Sequence, residues 1–188
     1  GSIALTANIT SNKKGVNLAR LGYELAMAPQ FDQLTYYGRG PLNNYNDRDA
    51  GAHVGLYKSS VAEQFVPFPK PQSMGNREGV RWTEVTDANV HGLAFIAEGT
   101  MSASVLPWTA LELMLAPHPH QLPKSSGTYI HLDLGVTGLG GNSCGQGAPL
   151  PEDRILGDGS RFSLLIRPAG TEKRVSMPVI HPFGDDIW

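Results

Sequence analysis

With 188 residues, a formal net charge of −2, 17% charged side chains and no run of Lys or Arg, the chain carries no electrostatic footprint for nucleic acid or an anionic membrane surface. Its richest short apolar run, Leu93-Ala94-Phe95-Ile96-Ala97, falls far short of the ~20 residues a membrane-spanning helix needs. The chain therefore reads as soluble, with cytoplasm and periplasm both open. Cys144 is the single cysteine, which excludes an internal disulfide, and 22 Gly and 14 Pro predict a turn-rich β architecture.

In chain order, Gly1-Ser2 reads as a cloning remnant, leaving 3–188 as one domain large enough to bury a substantial core. Short segments with two-residue alternation or β-rich composition then recur between Gly, Pro, Asn and Asp clusters: 18–25, 33–37, 53–58, 63–66, 80–86, 92–97, 102–106, 128–134 and 162–167. One segment differs. Thr109 and Glu112 stand at capping-box spacing and Pro117 follows, so 109–115 is predicted to be a short helix. The tail from Pro168 to Trp188 is expected to wrap back over the body or to fray. The pattern predicts an all-β fold, a large antiparallel β-sandwich with one short helix.

The densest segment is Gly38-Arg39-Gly40-Pro41-Leu42-Asn43-Asn44-Tyr45-Asn46-Asp47-Arg48. Gly38 and Gly40 tolerate φ > 0 and Pro41 fixes its own φ, so the chain must turn sharply after Leu34-Thr35-Tyr36-Tyr37. Asn44 is suited to an Asx turn and Tyr45 to packing with a satisfied hydroxyl. Arg39, Asp47 and Arg48 are expected to form a charge-assisted network. A pinned structural loop is the plain reading; a loop facing sugar or another domain is the sharper one.

This run resembles the Gly-Arg-Gly-Pro-x-Glu-Asn-Tyr-x-Asp-Arg motif in the C-terminal β-sandwich domain of the large β-galactosidases of glycoside hydrolase family 2, with Asn43 where Glu is usual. Further landmarks follow the family's order: Gly51-Ala52-x-Val54-Gly55, Glu63-Gln64-Phe65-Val66-Pro67, Pro71 to Trp82, His118-Pro119-x-Gln121-Leu122, and Gly138-x-Gly140-Gly141-Asn142-Ser143-Cys144-Gly145. Ser73-Met74 replace a usual Glu-Asn pair. The resemblance implies a galactose-mutarotase-like supersandwich, of which this chain would form the C-terminal part.

It also implies where the chemistry lies. Retaining glycosidases of this kind use two carboxylates about 5 to 5.5 Å apart, and in this family they sit on a (β/α)₈ barrel of about 250 residues. No catalytic residue is therefore expected in this segment, and Glu63, Glu78, Glu84, Glu98 and Glu112 are read as surface, capping or ion-pair residues. No cofactor is expected here either; a divalent cation would belong to the parent barrel. The implied partners are that barrel, a galactoside reached through its active site, and, as a further option, a second copy of the chain. In relatives the glycine-rich loop lends a Trp platform to the sugar leaving group, so Asn142, Ser143 and Cys144 are expected at the active-site rim, with Cys144 in place of the Trp.

Other constellations are weaker. The stretch 135–147 lacks the helix start a nucleotide-binding loop requires. Cys144 as a nucleophile with His118 or His120 lacks a thiolate-stabilising helix N-terminus. His118 and His120, with His53 or His131, could hold a transition metal only if the Pro-rich segment around them were a strand. Asp47, Asp185 and Asp186 do not make a calcium site. Trp82, Trp108, Tyr36 and Tyr37 could form a sugar-binding strip, but Trp82 alternates with Val80 and is expected in the core. The rival functions are a self-standing sugar-binding or mutarotase-like sandwich and a purely interdomain or oligomer-forming module.

Overall fold

The computed structural model describes residues 1–140 and 147–170. Among them ten strands follow one another: β1 Ile3–Ile9, β2 Asn17–Leu18, β3 Arg20–Met27, β4 Gln33–Gly40, β5 His53–Ser60, β6 Arg77–Thr86, β7 Gly92–Leu106, β8 Thr128–Val136, β9 Ile155–Leu156 and β10 Ser160–Pro168. The helix α1, Ala110–Leu115, lies between β7 and β8. The main sheet runs β1-β10-β7-β6-β4-β5, and β8 joins β7 on one side and β3 on the other. All of these pairings are antiparallel.

Strand β7 organises the layout. Along one edge β6 accompanies it from Gly92 to Ala103. The other edge is divided: Leu93–Ala97 carries β10, and Ser102–Leu106 carries β8. Between these stretches Gly99 takes φ +93°, a conformation that strains any residue with a Cβ. The sheet thereby splits into two leaves, and Tyr23 of β3 stacks on Phe162 of β10 at 5.6 Å to close them on each other.

Strand β4 shows how the sequence writes the layers. Leu34, Tyr36, Gly38 and Gly40 are buried, while Thr35, Tyr37 and Arg39 alternate with them on a half-buried face. Leu34 and Tyr36 enter a core with Val85, Phe95, Ile130, Leu132 and Leu164. Each such side chain contributes about 1.5–3 kcal/mol by leaving water. A second, smaller cluster of Met74, Leu106 and Leu113, with Trp108 and Phe65 packed on it, seats α1. Thr109 caps that helix as its sequence predicts, its hydroxyl accepting from Glu112 N–H while the Glu112 carboxylate accepts from Thr109 N–H.

The antiparallel sandwich matches expectation, and three local readings change. Residues 63–66 are not a strand: Ala62–Gln64 form a 3-10 turn, because the Glu63 carboxylate folds back onto Ser60 N–H and Oγ. The segments 92–97 and 102–106 are one continuous strand, and β1 adds an edge that was not anticipated. Trp82 leaves the core, since two register shifts in β6, between Arg77 and Val80 and between Val80 and Trp82, break its alternation with Val80. It lies half-buried opposite Tyr37. No helix among the described residues is long and apolar enough to cross a membrane.

Candidate functional site

The signature loop leaves β4 through a cis Gly40–Pro41 bond and closes a tight turn in which Tyr45 and Arg48 exchange backbone hydrogen bonds. Asn44 anchors it, though not through the Asx turn its sequence suggests. Its Nδ2 donates back to the carbonyls of Arg39 and Leu42, and its Oδ1 accepts from Glu78 N–H at 2.8 Å. Asn76 returns the contact, donating from Nδ2 to Asn44 O and to Glu78 Oε1. Tyr45 is buried, and that burial raises its pKa.

The expected network of Arg39, Asp47 and Arg48 divides into two. Arg39 reaches Asp49, with Nε 3.4 Å from Oδ2, and donates from Nη1 to Ala52 O. Asp47 and Arg48 turn away from it and close on one residue of the glycine-rich loop. Gly140 N–H donates to Asp47 Oδ2 at 2.8 Å, and Arg48 Nη2 donates to Gly140 O at 2.7 Å. The preceding Asn46 donates from Nδ2 to Asp153 O, the same carbonyl that receives Gly138 N–H. The signature turn is thus a clamp on both flanks of the loop. Asn142, Ser143 and Cys144 lie outside the described residues, as do Asp185 and Asp186.

Beneath the clamp lies a polar face. Glu78 accepts from Ser102 Oγ at 2.7 Å as well as from Asn76, and desolvation raises its pKa. Asp133 on β8 is almost wholly buried with Arg20 Nε 3.5 Å away, yet its Oδ2 has no hydrogen-bond partner. Burial outweighs the guanidinium, so the Asp133 pKa rises to about 6. Two residues earlier on the same face, His131 is pushed down to about 4 by burial and by Arg20, and its Nε2 lies 4.0 Å from Glu24. The sequence signal for this face was the polar alternation Ser102, Ser104, His131 and Asp133 within strands whose other face is core.

The remaining candidates disperse. Glu98 is an exposed partner of Arg161, whereas Glu78 and Glu84 are more buried than expected, Glu84 accepting from Gly170 N–H. His118 and His120 stack at 5.5 Å around a 3-10 turn, and among the described residues no group of three or more His, Cys, Asp and Glu side chains is placed to hold a metal. Trp108 packs edge-on against Phe65, and Tyr36 faces the core, so only Tyr37 and Trp82 stay together.

Comparison with known proteins follows the same lines. The family model described as the β-galactosidase small chain matches residues 1–166. The chain belongs to the β-galactosidase small-chain family. Within it, the chain is 33% identical over 153 residues to a β-galactosidase of Priestia megaterium and 34% identical over 171 residues to one of Streptococcus thermophilus. Those matches cover 80% and 89% of this chain but 15% and 17% of the relatives, so the small-chain domain spans a minor part of their length. A β-galactosidase of Lactobacillus delbrueckii subsp. bulgaricus is 34% identical over 148 residues, 78% of this chain and 14% of that protein. The clamp residues Asp47, Arg48, Gly138 and Gly140 all fall inside the family match.

Proposed function

We propose that the chain is the C-terminal sandwich of a β-galactosidase-like retaining hydrolase, acting as scaffold for the catalytic barrel and lending its 140–145 loop to the active-site rim. The clamp of Asp47 and Arg48 on Gly140 carries this reading. A loop whose neck is held by two charged side chains is suited to presenting something beyond its own domain. The substrate would be a terminal β-D-galactoside bound in the parent active site, with the carboxylate pair and any divalent cation supplied by the barrel. A second copy of the parent chain is a further proposed partner.

The loop would bring no aromatic side chain to the rim. The resemblance implies a loop ending Gly-Gly-Asp-x-Ser-Trp; counted from Gly140 the Trp position falls on Gly145, one residue beyond the Cys144 expected there, and neither a thiol nor a bare glycine offers an indole face. Leaving-group sugars are then held weakly or by other groups.

Two measurements test this. The isolated chain, incubated with an aryl β-galactoside, is expected to give no turnover above a buffer blank; turnover abolished by a substitution inside the chain would establish a self-standing enzyme instead. In the full-length parent, Cys144→Trp and Gly145→Trp are each compared with wild type for kcat/KM on a disaccharide galactoside relative to the aryl substrate. A rise of about fivefold in that ratio in at least one variant is expected; an unmoved ratio in both folded variants would remove the loop from the rim.

A further inference from the structure

Three strands end the main sheet. Among the described residues β3 pairs only with β8, β5 only with β4 and β1 only with β10, so each turns the backbone N–H and C=O groups of one edge outward. Two of these edges are guarded. β3 carries Arg20, Glu24 and a register shift between Leu21 and Gly22, and β5 carries His53 and Lys58; charges and irregularities of this kind discourage edge-to-edge pairing. β1 has neither. Its seven residues, Ile3–Ile9, include no charge and no Pro, and they run along β10 from Ile3–Ile166 to Ile9–Ser160 without a shift.

A strand added to this edge must also match its two faces. Ile3, Leu5, Ala7 and Ile9 share one face, from which Leu5 packs on the core, while Ala4, Thr6 and Asn8 are exposed on the other. Ile3 is left 61% exposed at the end of the apolar row. β1 itself is the matching strand. Run antiparallel to a second β1 about Thr6, it sets Ile3 opposite the second copy's Ile9, Leu5 opposite Ala7, Ala4 opposite Asn8 and Thr6 opposite Thr6. Apolar residues then meet apolar ones, and no charge opposes another. A slip by one residue sets the apolar row against the polar one and outward backbone groups against inward ones. A slip by two leaves Asn8 and Ile9, or Ile3 and Ala4, without partners.

We propose that the free edge of β1 seats a second copy of this chain, by antiparallel β1–β1 pairing about a two-fold axis through Thr6. Such a contact is isologous, so it consumes the same edge on both copies and closes at a dimer. It covers Ile3 with Ile9 of the second copy and makes one sheet of two. The interface is independent of the 140–145 loop. One pair of short strands is a small contact, and association in the micromolar range is expected.

The purified chain is sedimented between about 1 and 200 µM, and thiol variants are air-oxidised in a Cys144→Ser background, which removes the one native cysteine. A reversible monomer–dimer equilibrium is expected. Thr6→Cys is expected to give a disulfide-linked dimer, since the Cβ atoms of opposite residues stand about 4.5–5.5 Å apart and a small adjustment brings them to the ~3.8 Å of a disulfide. Asn8→Cys is expected to stay unlinked, the two copies of that position lying about 14 Å apart along the strands, yet to link when mixed with Ala4→Cys. Thr6→Lys sets two ammonium groups face to face and is expected to weaken the dimer by about tenfold or more. Sedimentation as a monomer throughout, or linking at Asn8→Cys as readily as at Thr6→Cys, overturns the proposal. So does a full-length parent in which the Thr6→Cys thiol stays unlinked, because another strand of the parent then holds the edge. If Thr6→Lys does not fold, the contrast between Thr6→Cys and Asn8→Cys decides.

Discussion

Arg77 lies beneath the ring of Tyr36, its guanidinium 5.8 Å from the ring centre and its Nε donating to the Tyr36 hydroxyl at 3.0 Å. Arg77 is 7% exposed, and among the described residues no carboxylate forms an ion pair with it. Its charge is solvated instead by neutral acceptors: the Tyr36 hydroxyl, Gln64 Oε1 at 2.8 Å and Asn76 O at 3.1 Å. Asn76 in turn holds Asn44, so one buried cation ties the core to the signature loop.

Arg77→Met keeps the length and apolar stem but leaves those acceptors unmet, at a cost of about 3 kcal/mol. Urea denaturation of the purified chain checks it. A loss under about 1 kcal/mol would mean that water replaces the guanidinium at low cost.

Gly22 and Gly51 make a matched pair. A Cβ on Gly22 would overlap Leu132 O and the Asp133 backbone, prising β3 from β8, whereas one on Gly51 meets nothing within 4 Å. Gly22→Ala is expected to destabilise by about 1–3 kcal/mol and Gly51→Ala by less than about 0.5 kcal/mol, read from thermal melts of the two variants.

Asp133 and His131 set opposing pH dependences. Asp133 rises from 3.8 to about 6 on folding, so the stability it contributes is present below the unfolded value and is lost as pH rises through about 6. His131 falls from 6.5 to about 4, so its contribution is present above 6.5 and is lost as pH falls through about 4. Between pH 4 and 6 the two slopes offset, and wild-type stability is expected to change little there. Asp133→Asn should leave stability rising with pH across that window, and His131→Gln should leave it falling, each by at most about 1.4 kcal/mol per pH unit. Chemical denaturation at half-unit pH steps distinguishes them; parallel curves for both variants would contradict the assignment.

Thr109→Ala removes the hydroxyl that accepts from Glu112 N–H and answers the Glu112 carboxylate at 2.8 Å. The helix is only six residues long and buries Leu113, so the cap is expected to contribute about 1 kcal/mol. Glu112→Ala should cost a similar amount, and the double variant less than the sum, because the two side chains complete one motif; melts of all three variants measure the coupling.

Local chemistry was legible where it was self-contained. The capping box needed only Thr109 and Glu112, and the alternation of Leu34 and Tyr36 with Thr35 and Tyr37 wrote β4 directly. Position in space was not. Trp82 keeps alternation with Val80 in the sequence, but the register against β7 shifts between them, from Met101 to Ile96, and the indole is left half-buried. Glu63 looked like part of a strand because nothing in 63–66 reveals that Ser60 would capture its carboxylate. The signature loop was recognisable as a unit, yet the partner of Asp47 and Arg48 is a backbone 92 or 93 residues away, and a backbone group has no sequence signature. Asp133 was missed for a related reason: only the sheet register shows that Arg20 of β3 reaches the face it shares with His131.

The sharing of β7 between both leaves has a thermodynamic consequence. A strand whose first part hydrogen-bonds to β10 and whose last part hydrogen-bonds to β8 denies either leaf an independent melting event, since releasing one frees an edge of the strand on which the other is built. Covalent continuity through Gly99 thus adds to the coupling supplied by the apolar layer between the leaves. Amides of Phe95 and Val105, which lie on opposite sides of that bend, are accordingly expected to exchange with solvent through the same global opening, with equal free energies and equal sensitivity to denaturant.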